Sequence, residues 1–81
     1  MENKSEFRSS DFYQAVILKT VGFSLLRLEK TNGRFMTFVF EDLEHVAQDV
    51  LQSYWRREIT VNARDLIETI NELKTRVHSG V

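Results

Sequence analysis

Histidine and carboxylate side chains are the groups in this chain that could hold a metal ion. The best spacing is that of His45, which has Glu41 four residues before it and Asp49 four residues after it. Residues four apart share a helix face, so an imidazole and two carboxylates could converge on one ion. That face would lie opposite an apolar stripe, where a solvated charged surface is expected in any case. We therefore predict no metal site.

Residues for covalent, redox or acid–base catalysis are scarce. The chain contains no cysteine, two histidines and three glycines, which excludes a thiol enzyme and a glycine-rich nucleotide loop. His78 lies near the C-terminus, where a positive imidazole suits the end of a helix. No spacing joins a serine, a histidine and a carboxylate into a catalytic set. The chain is therefore predicted not to be an enzyme and to need no cofactor.

Two clusters combine aromatic with basic residues, a combination that binds nucleic acids by stacking on bases and pairing with phosphates. One lies at the tip of a predicted β-hairpin and the other at the end of a predicted second helix. Their members are Arg27, Lys30, Arg34, Phe35, Tyr54, Trp55, Arg56 and Arg57. Because the formal net charge is −1, the chain as a whole is not built to bind a polyanion. Nucleic-acid binding is therefore our alternative hypothesis.

One small domain must position these residues. With 81 residues, of which 42% are hydrophobic, the chain suits a single globular unit. Its polar start predicts a disordered tail over residues 1–8, followed by a single α+β domain over residues 9–81. The longest apolar run, from Ala15 to Leu18, is too short to cross a membrane. Together with the absence of cysteine, this predicts a cytoplasmic protein without membrane association.

The predicted α+β fold has an N-terminal helix, an antiparallel β-hairpin and two C-terminal amphipathic helices. The first helix is predicted to begin at an N-cap, Ser9 or Ser10, and to continue to about Val21. Gly22 is predicted to end it in the left-handed conformation. Apolar residues occupy most of its circumference, which indicates that it is covered on more than one side.

The Asn32-Gly33 pair predicts a hairpin over residues 23–40. A two-residue turn would pair Leu28 with Thr37, whereas a three-residue loop over residues 31–33 would pair Leu28 with Met36. We favour the longer loop, with Gly33 at positive φ, because it gathers the apolar residues on one face. That predicted core face contains Leu26, Leu28, Met36, Phe38 and Phe40.

The other hairpin face is also apolar near its open end. Together with the first helix, it offers more apolar surface than a monomer of this size can hide, and such patches mark protein interfaces. We therefore predict a homodimer. The predicted contact residues are Tyr13, Ile17, Phe23, Leu25 and Val39.

Two amphipathic helices complete the prediction. The second begins at Glu41 or Asp42 and ends near Arg57. Residues 58–61 are predicted to be extended, and Ile59 and Val61 could add a very short third strand. Its apolar stripe contains Leu43, Val46, Ala47, Val50, Leu51 and Tyr54. The third begins at an N-cap, Asn62. Its predicted core stripe contains Ala63, Leu66, Ile67, Ile70, Leu73 and Val77.

Several short segments resemble an uncharacterised family of small bacterial domains of unknown function. They are Asp11-Phe12-Tyr13, Gly22-Phe23, Leu25-Leu26, Thr37-Phe38-Val39-Phe40-Glu41-Asp42, Tyr54-Trp55 and Leu73-Lys74-Thr75-Arg76. The likeness covers about residues 10–78. It implies the same order of helix, hairpin and two helices, and it implies no activity.

Two functional hypotheses follow. The first is a non-enzymatic protein-interaction module that self-associates, with an unidentified protein as a further partner. The second is a nucleic-acid-binding accessory protein that uses the two aromatic–basic clusters.

Overall fold

The computed structural model describes residues 5–31 and 35–79, which form three strands and three helices within these ranges. The predicted α+β fold, with a helix, a hairpin and two helices in that order, is confirmed. In chain order the elements are β1 (Glu6–Ser9), α1 (Phe12–Thr20), β2 (Leu25–Thr31), β3 (Phe35–Glu41), α2 (Ala47–Trp55) and α3 (Ala63–Ser79).

The sheet is antiparallel in the order β1-β3-β2, so its third strand comes from the start of the chain. The predicted tail is therefore wrong from Glu6 to Arg8, while residues 1–4 lie outside the described residues. The physical reason is alternation, because Phe7 packs against the core while its two neighbours form ion pairs. The short strand predicted at residues 59–61 is also wrong, since these residues belong to neither a strand nor a helix.

Both predicted hairpin registers are wrong. Thr31 pairs with Phe35 and Leu28 pairs with Phe38, whereas the two predictions paired Leu28 with Thr37 or with Met36. Gly33 lies outside the described residues, and its φ stays a prediction.

A β-bulge changes the faces of the hairpin. Leu25 pairs with Phe40 and Arg27 pairs with Val39, which leaves Leu26 as the extra residue between two pairs. A shift of one residue sends side chains to the opposite face. Leu25 consequently packs on the core, and Leu26, predicted to be in the core, is 43% exposed.

The first helix, α1, is the centre of the domain, and it contacts β1, α2 and α3. Four consecutive residues, Ala15–Leu18, are buried, so the predicted covering on more than one side is confirmed. Its N-cap is Asp11 rather than a serine, because the Asp11 carboxylate accepts the Gln14 backbone N–H at 3.0 Å. Ser9 is instead a buried neighbour whose hydroxyl accepts the Asp11 N–H.

The second helix, α2, begins at Ala47, several residues later than predicted. Glu41 still belongs to β3. The Asp42 side chain caps α2, although Asp42 lies five positions before Ala47, the first helical residue. The Asp42 carboxylate accepts the backbone N–H of Val46 at 2.9 Å and that of Ala47 at 3.1 Å. The intervening residues form a turn, so Leu43 leaves the predicted stripe and is exposed.

The third helix, α3, begins as predicted at Asn62, whose side-chain oxygen accepts the Asp65 N–H at 3.1 Å. Its core face includes Leu73, which is fully buried, and the half-buried Leu66, Ile70 and Val77. Ala63 and Ile67 are exposed, so that part of the predicted stripe is wrong.

Two helices end in the same hydrogen-bonded motif with different residues at its left-handed position. After α1 this residue is Gly22 (φ 118°), and after α2 it is Arg57 (φ 63°). In both, the next residue donates its N–H to a carbonyl five residues back: Phe23 to Leu18 and Glu58 to Ser53, each at 2.9 Å.

We expect Arg57→Gly to raise the free energy of unfolding by about 0.5–1 kcal/mol, because glycine adopts the left-handed region without steric cost. Gly22→Ala should lower it by about 1–2 kcal/mol through backbone strain. No atom lies within 4 Å of the added Cβ. Urea denaturation measures both effects, with Arg56→Ala as a control near zero. A destabilising Arg57→Gly would contradict the assignment of strain to Arg57.

Candidate functional site

The sheet face that points away from the core carries a network of four charged side chains. Arg27 makes two hydrogen bonds of 3.0 Å to the Glu6 carboxylate and one of 2.9 Å to Glu29. Arg8 bridges the same two acids at 3.3 Å each. Val39, which pairs with Arg8 on one side and Arg27 on the other, is fully buried beneath their aliphatic stems. The network therefore covers this sheet face and neutralises its charge.

These ion pairs change the titration of both acids. The hydrogen bond from Arg27 holds the pKa of Glu6 below its ordinary value of 4.5. The pKa of Glu29 is also held below its ordinary value of 4.5. The main cause is the hydrogen bond from Arg8, and the second is the hydrogen bond from Arg27. Glu6 and Glu29 in turn raise the pKa of Arg27.

The lowered pKa values predict a loss of stability in acid. A carboxyl group whose pKa is depressed on folding stabilises the fold above its unfolded pKa, and this contribution disappears as the pH falls through the folded pKa. We expect the melting temperature of the wild type to fall more steeply below pH 4.5 than that of Glu6→Gln. Parallel pH profiles for the two proteins would contradict a stabilising role of the network, and added salt should reduce any difference between them.

The five predicted dimer contacts do not form one exposed patch. Tyr13 is exposed, but Ile17 is buried within α1 and Val39 is buried under the ion-pair network. Phe23 and Leu25 are half-buried and pack against the core. This choice of surface is corrected, because α1 is covered by other elements and the bulge turns Leu25 inward. Self-association itself stays a prediction.

The hairpin cluster predicted for nucleic acid is only partly described. Arg27 is held by two acids, and Lys30 is exposed near the end of β2. Arg34 lies outside the described residues, and Phe35 begins β3. Since the best-placed cation, Arg27, is already paired, this cluster loses much of its capacity to bind phosphate.

The members of the second predicted cluster lie next to one another at the end of α2. The rings of Tyr54 and Trp55 are 5.6 Å apart, and Trp55 is 71% exposed. Arg56 and Arg57 follow it on the surface. We call Trp55, Arg56 and Arg57 the basic cap.

The three residues whose spacing suggested a metal site do not share a helix face in the structure. Glu41 lies in β3, His45 in a turn and Asp49 in α2, so no single helix presents all three. In residues 5–31 and 35–79, no three histidine or acidic side chains converge as a metal-binding group.

A surface depression with a volume of about 320 Å³ lies between the turn after α1 and the turn before α2. We call it the loop groove. It is lined by Val21, Gly22, Phe23, Ser24, Glu41, Asp42, Leu43, Glu44 and Val46. Its exposed apolar residues are Leu43, at 66%, and two valines at 37% each. Glu41 and Glu44 are exposed acids, and within residues 5–31 and 35–79 no basic residue lines the groove.

Hydrogen bonds hold the turn that presents Leu43. The buried Asp42 carboxylate binds the N-terminus of α2, and the Asp42 backbone N–H donates to the carbonyl of Ser5. His45 donates its N–H to the Asp42 carbonyl at 3.1 Å and has a φ of 56°. A non-glycine residue at positive φ costs free energy and often marks a functional turn. The hydrogen bonds of this turn therefore keep the Leu43 side chain exposed.

A smaller depression of about 200 Å³ lies between α1 and α3, lined by Phe12, Tyr13, Lys74, Val77 and His78. Its exposed residues combine an aromatic ring with Lys74 and His78. It lacks the acidic groups that distinguish the loop groove.

Sequence reasoning identified one residue of the loop groove, Phe23, and missed Leu43. Helical spacing continued back to Asp42 predicts a core position for Leu43. The available signal was Asp42 itself, since an aspartate before a helix can cap it and place the next residues in a turn.

No helix in the described part of the chain combines the length and hydrophobicity needed to cross a bilayer. A family model described as "Domain of unknown function (DUF5659)" matches residues 4–79. Comparison with curated proteins gives no significant match, and comparison with solved structures gives none either. The resemblance to an uncharacterised family of small domains is thereby confirmed.

Proposed function

The chain belongs to the DUF5659 family, whose function is unknown, and we propose that it is a small non-enzymatic protein-interaction module that self-associates through the loop groove. The observation that carries this proposal is the exposed Leu43 side chain. A hydrogen-bonded turn holds it beside two valines in a groove of about 320 Å³. Apolar side chains grouped in a concave surface typically mark a site of protein contact.

The sheet edge supports association less well than the groove does. Strand β2 lies at one edge of the sheet, and such an edge can pair with another chain. The bulge at Leu26 interrupts it near one end, and bulges of this kind protect edges from pairing. The loop groove is therefore our choice of surface.

Nucleic-acid binding remains the second candidate, with less support. Arg8 and Arg27 are paired with acids on the sheet face, so the exposed cations among the described members of the two predicted clusters are Lys30, Arg56 and Arg57. The net charge of −1 also disfavours a polyanion as partner. The proposal includes a bacterial origin, which the resemblance implies. The absence of cysteine is compatible with a reducing cytoplasm.

Sedimentation equilibrium tests the proposal. The apparent mass of the wild type should rise above the chain mass of 9.6 kDa between tens and hundreds of micromolar. Leu43→Lys should stay at 9.6 kDa, because it removes the apolar side chain and adds a charge at the contact. The matched control is Ile67→Lys on α3, which is 55% exposed outside the groove and should associate like the wild type.

A wild type that stays monomeric over this range would contradict self-association. Equal loss of association in Leu43→Lys and Ile67→Lys would contradict the choice of the loop groove.

A further inference from the structure

We propose that the loop groove receives the basic cap of a second copy of this chain, with Trp55 in the groove and Arg56 and Arg57 beside its two acids. This inference rests on the proposed self-association and names the segment that makes the contact.

The chemistry of the loop groove defines what it can bind. Leu43 and two valines provide an apolar lining, and Glu41 and Glu44 add negative charge. In the part of the chain that the structure describes, no lining side chain is basic. Such a surface suits an apolar side chain flanked by cations, because opposite charges align two surfaces and apolar burial stabilises their contact.

The basic cap has the complementary chemistry. Trp55 is the most exposed large apolar side chain in the described ranges, and two arginines follow it directly. Within residues 5–31 and 35–79, neither Arg56 nor Arg57 makes an ion pair. Tryptophan and arginine are enriched among residues that dominate binding energy at interfaces.

Backbone strain at Arg57 agrees with this role. Its φ of 63° is a conformation that glycine adopts at lower cost, and α1 does end with glycine at the same position of the motif. An arginine kept in a strained conformation beside an exposed tryptophan fits a residue whose side chain makes a contact.

The contact must join two molecules. The loop groove ends at Val46, directly before α2, and Trp55 is the last residue of the same helix. Nine helical residues separate the two sites by about 13 Å along a rigid rod. The basic cap consequently cannot fold back into the groove of its own chain.

The contact is small. A buried tryptophan contributes roughly 150–250 Å², whereas a standard interface buries about 800 Å² on each partner. We therefore expect weak association that depends on protein concentration and weakens with salt.

A complementation titration tests the inference, because Trp55 is the single tryptophan of the chain. Trp55→Ala keeps the groove and has no indole, while Leu43→Lys keeps the basic cap and has a damaged groove. Neither variant should self-associate. When Trp55→Ala is titrated into Leu43→Lys, the indole emission of the latter should shift to shorter wavelength and saturate as Trp55 enters the intact groove.

Two controls isolate the contact. The double variant Leu43→Lys/Trp55→Ala has neither indole nor intact groove, and as titrant it should produce no shift. The double variant Leu43→Lys/Arg56→Glu keeps Trp55. Its affinity for Trp55→Ala should be roughly tenfold lower, because an acid then lies beside Glu41 and Glu44. Circular dichroism confirms that each variant is folded.

An absent shift, or an equal shift with the double variant, would overturn the inference. If the wild type nevertheless associates and Leu43→Lys is monomeric, the proposed function stands and another segment fills the groove. If the wild type is also monomeric, both proposals fail.

Discussion

Phe40→Ala should lower the free energy of unfolding by about 3–5 kcal/mol, because it removes a large ring from a closed core and leaves a cavity. Phe40 is fully buried and belongs to the cluster that joins β3 to all three helices. A single core in a domain of about this size rarely supplies more than about 3–5 kcal/mol of stability, so the variant should be close to unfolded at room temperature. Urea denaturation followed by circular dichroism measures the effect.

The hairpin supplies a matched control for this prediction. Leu25 pairs with Phe40 and packs on the core, whereas Leu26 in the bulge is exposed. Leu25→Ala should therefore destabilise the fold clearly more than Leu26→Ala, which should cost less than about 1 kcal/mol. The reverse order would show that the bulge is misplaced, and a stable Phe40→Ala variant would show that the core is assigned incorrectly.

Asp42→Ala should lower the free energy of unfolding by about 2–3 kcal/mol, since it leaves two backbone N–H groups at the start of α2 without their acceptor. Asp42 is only 7% exposed, and its two carboxylate oxygens accept from Val46 and Ala47. Thermal or urea denaturation measures the loss.

Two variants calibrate the Asp42 result. Asp42→Asn keeps one acceptor oxygen and should lie between the wild type and Asp42→Ala. Asn62→Ala removes a single exposed cap bond from α3 and should cost about 1 kcal/mol. If Asp42→Ala cost no more than Asn62→Ala, the carboxylate would not organise the turn that presents Leu43.

Local signals predicted the helix ends best. Asn62 caps α3 as expected, and Gly22 has the predicted positive φ after α1. Both are short-range effects, because a cap bonds to a residue two or three positions away and a left-handed residue depends on its own side chain. The order of elements followed from the same signals and from hydrophobic periodicity.

Non-local pairing explains what the sequence did not predict. Strand β1 pairs with β3, from Ser9 with Phe38, 29 positions later, to Glu6 with Glu41, 35 positions later. No local sequence signal near Glu6 predicts this partner. The bulge at Leu26 is likewise a property of two strands and not of one. It reversed the faces of Leu25 and Leu26, and with them the predicted dimer surface.

The candidate site was missed for a related reason. The apolar spacing from Leu43 to Tyr54 is compatible with one long helix, but a turn at positive φ interrupts it at His45. Asp42 determines that turn by binding two N–H groups at the start of α2. Periodicity alone cannot separate a helix from a capped turn that continues the same spacing.

The central claim is that copies of this chain meet through the loop groove, and a concentration series of amide nitrogen–proton spectra tests it most directly. Between tens and hundreds of micromolar, signals of residues 21–24, residues 43–46 and the Trp55 indole should shift together. Signals of the β2 edge should stay constant. Shifts confined to β2, or no shifts at any concentration, would contradict the claim.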